Sequence, residues 1–169
     1  YAPTSEHSVF VNCDGELSIS RQAELNQEVS RICNKCYNMT PVVNNEMVNK
    51  RTLNTQNTKA RDLVVSWILE HAEDTTIPCM PGYGPEVSIF KSAFKHTGLD
   101  ISCKVQDAGM NAVLDKISEF IASCETSKRN FQVLYQTLSS VPFGMRRGII
   151  PLYIAYVLRQ YKENIILYY

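Results

Sequence analysis

The sequence predicts a mainly α-helical fold with small β elements at its two ends. Apolar residues recur at three- and four-residue spacing through most of the chain, the signature of helices with one buried face. Alternation is confined to a first segment, SVFVNCDGELSI, and a short strand is expected in the final residues. The 169 residues are 44% apolar and 20% charged, which is ordinary globular composition and enough chain for one domain or a domain with a small companion.

SVFVNCDGELSI alternates on both sides of Asp14-Gly15, a pair that supplies the positive φ of a tight turn, so a β-hairpin is expected. Ser20 is the expected cap of a helix running to about Tyr37, with Leu25, Val29, Ile32 and Cys36 on one face. Pro41 ends that helix. The following stretch is rich in Asn and Thr, whose side chains compete for backbone hydrogen bonds, and predicts a short helix from Asn45 to Asn49 and then a polar loop. A helix from about Gln56 to Glu73 is expected to bury Leu63, Val64, Trp67 and Ile68. Pro85 suits the first turn of a further helix, which runs to Thr97 and stops at Gly98.

An extended piece is expected over Ile101 to Val105. Asp107 then opens a helix with the stripe Met110, Val113, Leu114, Ile117, Ile121 and Cys124. Ser127 is the expected cap of a helix directing Phe131, Leu134, Tyr135 and Leu138 inward. A helix from Ile150 to about Tyr161 is apolar nearly all round, which predicts a central, buried position, and a strand is expected from Ile165.

The longest apolar run, Ile149 to Leu158, contains Pro151 and is too short to cross a bilayer. The first residues have no basic region leading into an apolar core, so no signal peptide is read there, and a cytoplasmic protein is expected. With no initiator methionine, the chain reads as a piece of a longer protein. Six scattered cysteines, among them Cys33 and Cys124 at apolar helical positions, are read as reduced and buried.

The formal net charge is zero, yet the charge is divided unevenly. Tyr1 to Glu125 carries 11 Lys/Arg against 16 Asp/Glu, a net −5, and Thr126 to Tyr169 carries 6 Lys/Arg against Glu163, a net +5. Charge and spacing together suggest a boundary near Thr126.

Few motifs carry chemistry. Cys33-Asn-Lys-Cys36 is a CxxC, but no second pair or HxxxH supplies four zinc ligands, and the βαβ setting of a redox pair is missing. No cofactor or metal is expected in this segment. His7, His71 and His96 stand far apart, without a nucleophile motif. No GxxxxGK[ST] occurs, and Gly82-Tyr83-Gly84-Pro85-Glu86 follows no strand, so it reads as a turn and helix cap. The chain by itself is therefore not expected to be an enzyme. Phe143-Gly144-Met145-Arg146-Arg147-Gly148 is more informative. Two arginines precede a buried helix whose N-terminus is itself positive, an arrangement suited to nucleic-acid or nucleotide phosphate. Lys128, Arg129, Arg159 and Lys162 add to the same basic field. The alternative is a solvated loop.

TPVVNNEMVN, KARDLVVSWILEHAED, GYGPEVSIFKSAFKHTGL and the final VPFGMRRGIIPLYIAYVLRQYKENIILYY follow one another in an order that resembles very large bacterial ATP-binding proteins associated with phage defence, including BREX-like ATPases. The resemblance covers most of the chain after about Tyr37 and includes no catalytic signature. It implies an accessory region downstream of a P-loop module in a parent ATPase, with a winged-helix-like end cut within its last hairpin. On this reading residues 1–125 form an acidic helical domain with an N-terminal hairpin, and residues 126–169 form a basic, partial winged-helix-like segment. Lys128, Arg129, Arg146 and Arg147 are then the anion- or nucleic-acid-binding candidates, with DNA and the upstream ATPase module as expected partners. A structural helical linker or protein-binding domain is the competing expectation.

Overall fold

A computed structural model describes residues 9–168. It is mainly helical, with seven α-helices and one two-stranded antiparallel sheet among the described residues. The chain forms two compact units, one up to Asn38 and one from Met39 onward. The charge boundary at Thr126 therefore falls inside the second unit.

In the first unit, β1 (Phe10–Asn12) pairs with β2 (Gly15–Leu17) in the register Phe10 to Leu17 and Asn12 to Gly15. Cys13 and Asp14 form the turn, and the Asn12 side chain accepts a hydrogen bond from the Asp14 N–H at 2.7 Å. Gly15 follows with φ +126°, a conformation that disfavours any side chain. Helix α1 (Gln22–Cys36) starts one residue later than Ser20 would cap it, with Arg21 at the N-cap. The Glu24 carboxylate closes this end by accepting from the Ser20 and Arg21 N–H groups at 2.8 and 3.1 Å. The expected buried stripe does not form. No residue of α1 is buried, Val29 is 50% exposed, and Cys33 and Cys36 are exposed.

The second unit begins with α2 (Glu46–Asn49), followed by α3 (Thr55–Glu70). Their asparagines are structural. Asn45 caps α2 by accepting from the Met47 N–H and donates to Ser92 Oγ at 2.9 Å, while Asn57, buried in α3, donates to the Met47 carbonyl at 3.0 Å. A segment whose composition reads as polar loop is thus held by internal amide bonds. On α3 the buried face is Asn57, Ala60, Val64 and Ile68. Leu63 lies off this face and is 55% exposed, contrary to expectation, and Trp67 is half-buried with its indole N–H donating to the Pro78 carbonyl at 2.9 Å.

Helix α4 (Pro85–Phe90) continues as a π-helical turn over Lys91–Lys95, in which the His96 N–H reaches back five residues to the Lys91 carbonyl. Gly98, with φ +80°, ends the run. Residues 101–105 form turns with no strand. Helix α5 (Ala108–Ala122) starts at Asp107, whose side chain accepts from the Met110 N–H at 2.9 Å. It buries Met110, Val113, Leu114, Ile117 and Ile121 as expected, whereas Cys124 lies beyond its end and is exposed. Asn130, in place of Ser127, caps α6 (Phe131–Ser139), which buries Leu134 and Leu138 and half-buries Phe131 and Tyr135.

Helix α7 (Ile150–Leu158) is the centre of the unit. Leu152 through Val157 are all buried, and the helix packs against α3 and α5. Its tyrosines join an aromatic cluster, with the Phe94 ring 5.8 Å from both Tyr153 and Tyr156 and 5.6 Å from Phe90. Both hydroxyls find acceptors at 3.3 Å, Tyr153 the Ala93 carbonyl and Tyr156 the Ser102 carbonyl. A 3₁₀ turn, Arg159–Tyr161, follows. The strand expected from Ile165 is not formed, since residues 165–168 have neither strand geometry nor a ladder partner among the described residues. None of the described helices is long and apolar enough to cross a membrane.

Candidate nucleic-acid interface

Lys128 and Arg129 stand on the loop between α5 and α6, and both are exposed. The loop is set at each end by side chains that bond to backbone. Ser123 Oγ donates to the Phe120 carbonyl, and the Asn130 side chain accepts from the Gln132 N–H at 2.8 Å, which starts α6. The two basic residues border a groove of about 930 Å³ between this loop and the final segment of the described chain. Phe120, Phe131, Tyr161 and Tyr168 are in its lining, with aliphatic side chains between them. The Phe120 and Phe131 rings lie 5.5 Å apart, and the Lys128 ammonium lies 4.0 Å from the centre of the Tyr168 ring. Glu125 is the one acid in the lining among the described residues.

Arg146 and Arg147 are also exposed, but they do not line this groove. They sit on a turn whose neighbours point inward. Phe143 and Met145 are buried, and the Met145 N–H donates to the Leu138 carbonyl at 2.8 Å. Gly148 is buried so tightly that a Cβ there would collide with the Val48 carbonyl oxygen, with the Leu53 side chain close behind. The expected opening of the α7 N-terminus toward an anion is therefore not found. Gly148, Ile149 and Ile150 are all buried, Gly148 against Val48 and Leu53, and Pro151 removes one N–H from the first turn. The arginines face solvent beside this closed end.

Helix α6 connects the two basic pairs. Burial raises the Tyr135 hydroxyl above its usual range, while the nearby charges of Arg61 and Arg147 oppose that rise. Tyr135 itself stands one turn and about 6 Å along α6 from Phe131 in the groove.

The other members of the expected basic field serve elsewhere. Lys162 pairs with Glu73 at 3.2 Å, and Arg159 is only 8% exposed, with its guanidinium over the Tyr156 ring. Packing adds two residues that sequence spacing did not single out. Lys50 and Arg51 are exposed on the segment between Val48 and Leu53, the two residues that press on Gly148. Nothing in the linear sequence brings residues 48 and 148 together. Nor does it bring Phe120, Tyr161 and Tyr168 to one groove, although the alternation of aromatic and basic residues after Phe120 hints at it.

The remaining motifs are accounted for by structure. Cys33 and Cys36 sit in the last turn of α1, and no group of three or more His, Cys, Asp or Glu residues suited to a metal occurs among the described residues. His71 follows α3 with Nδ1 2.8 Å from the Trp67 carbonyl and its ring 4.1 Å from the indole. His96 closes the π-helical turn, and His7 lies outside the described residues. Gly84 is the N-cap of α4 and Gly82 has φ +93°, in line with a turn and cap.

The chain matches no protein-family model, no curated protein and no solved structure. Function is therefore argued from the geometry.

Proposed function

We propose that the unit from Met39 onward is a non-catalytic accessory module that contacts nucleic acid through its phosphates. One observation carries this reading. Lys128, Arg129, Arg146 and Arg147 are all exposed, and none forms an ion pair with an acid among the described residues. They also belong to a stretch of net charge +5 in a chain whose total is zero. Unpaired cations on a rigid helical frame can meet phosphate without first breaking an internal ion pair. The arginines can do so as two-pronged donors, and Lys128 as a point charge. The contacts read charge and carry little sequence preference. In the parent protein suggested by resemblance, ATP chemistry belongs to an upstream module and this unit couples it to the nucleic acid. A winged-helix-like end is not required, because the basic residues stand on loops around α6.

The test is DNA binding by the full chain at increasing salt. The quadruple variant K128A/R129A/R146A/R147A is expected to stay folded by circular dichroism and to lower the salt slope by up to about 4, near one unit for each lost phosphate contact. Folded wild-type protein that binds DNA without salt dependence, or not at all, overturns the proposal and leaves the structural or protein-binding module.

A further inference from the structure

The groove beside Lys128 and Arg129 combines features that a phosphate-contacting surface alone does not need. Its lining includes four aromatic rings, and one of them, Tyr168, is 67% exposed. Ile166 and Leu167 beside it are 76% and 61% exposed, and adjoining exposed apolar side chains of this kind mark a surface that a partner covers. Lys128 lies over one face of that ring at 4.0 Å, so a charge able to meet phosphate stands beside an exposed aromatic side chain, and a base would stack on the face that Lys128 does not cover. Tyr161 and Phe131 are half-buried, held by the core on one side and turned to the groove on the other.

We propose that this groove binds single-stranded nucleic acid, with bases stacked on Tyr168 and Tyr161 and the backbone held by Lys128 and Arg129. This rests on the phosphate-contact reading above and narrows it. Rings can stack only on bases that are free of their neighbours. In a duplex each base is already stacked and paired, so an intact duplex can offer this groove phosphates alone. Stacking tolerates every base because each has a π-face, so little sequence preference is expected. Glu125 is a local cost that a polyanion meets at this site.

The test uses the full chain and a labelled single-stranded oligothymidylate about twelve nucleotides long, within the usual site size for such grooves, read by fluorescence anisotropy beside a duplex of the same length. The single strand is expected to bind about tenfold or more tightly than the duplex at equal salt. Tyr168→Ala should weaken single-strand binding by about tenfold, the scale of one lost stacking contact, while Tyr168→Phe retains it. Lys128→Ala with Arg129→Ala should instead lower the salt slope by up to about 2. Tyr168 is exposed, so loss of fold is not the expected source of its effect, and circular dichroism checks this directly. If duplex and single strand bind equally with salt dependence, and Tyr168→Ala changes nothing, the phosphate reading stands and the stacking groove falls. If neither nucleic acid binds, both fall. Displacement of the oligonucleotide by polyglutamate at equal charge concentration would identify a general acidic-peptide groove and overturn the inference.

Discussion

The guanidinium of Arg159 lies 5.0 Å from the centre of the Tyr156 ring, and its Nε and Nη1 have no hydrogen-bond partner among the described residues. Buried guanidinium nitrogens without an acceptor are costly, and the ring and hydroxyl of Tyr156 offset part of that cost. Arg159→Met keeps an unbranched apolar stem and removes the charge. It is expected to leave the unfolding free energy unchanged or raise it by about 1–3 kcal/mol in urea titrations. Arg159→Ala, which also removes the packed stem, should fall below both. A methionine variant less stable than wild type by more than about 1 kcal/mol would assign Arg159 a net stabilising role.

The same tyrosine sets an alkaline limit. Burial first, and then the neighbouring Cys103 thiol, push the Tyr156 hydroxyl up to about 12 from an ordinary value of 10.0, and burial raises Tyr153 as well. A raised folded value means that the proton is held more tightly in the folded chain. The associated stability is complete below about pH 10 and is lost as pH climbs through about 12. Unfolding free energy measured between these limits should fall with pH, and the fall should be shallower in Tyr156→Phe. Equal slopes in the two proteins would remove Tyr156 from the account.

Leu152 and Leu63 make a matched contrast. Leu152 is fully buried in α7, and Leu63 is exposed on α3. Leu152→Ala should cost about 2–5 kcal/mol, whereas Leu63→Ala should change stability by less than about 0.5 kcal/mol. Similar losses at the two sites would contradict this placement of the α3 face.

Gly148 is needed for close approach. Because a Cβ would meet the Val48 carbonyl, Gly148→Ala should destabilise by about 1–3 kcal/mol through forced displacement of residues 48–53. Thermal unfolding that matches wild type would show that those residues yield without cost.

The six cysteines give a direct chemical check. All are free and exposed, so thiol titration of the native protein should approach six reactive groups without denaturant. A native count near two would restore the buried reading.

Much of this fold was legible because certain residues constrain their surroundings strongly. Asp107 and Asn45 cap where their side chains can reach a free N–H, and the five apolar positions of α5 from Met110 to Ile121 bury as their spacing requires. The all-round apolar character of α7 marked it as central. Other features depend on distant partners. Leu63 and Val64 are equally apolar, but Asn57, Ala60 and Ile68 decide which face of α3 turns inward. Ile165 to Tyr168 has strand composition, yet a strand requires a neighbour to pair with and none is present among the described residues. The candidate site divides in the same way. The four basic residues could be read from the linear sequence, whereas the groove unites side chains nearly fifty positions apart, and Val48 and Leu53, on either side of Lys50 and Arg51, reach Gly148 only through the folded chain.

The π-helical turn at Lys91–Lys95 gives this part of the chain a reserve of one residue. It holds one more residue than an α-helical turn requires, so a single deletion there would let the helix relax into regular geometry. Phe90 before the turn and Leu99 after it would keep nearly the same phase, and both could still reach the core they fill. A deletion in a regular helix has no such reserve. In α5, loss of one residue after Val113 would rotate every later side chain by about 100° relative to those before it, and would carry Ile117 and Ile121 off the buried face.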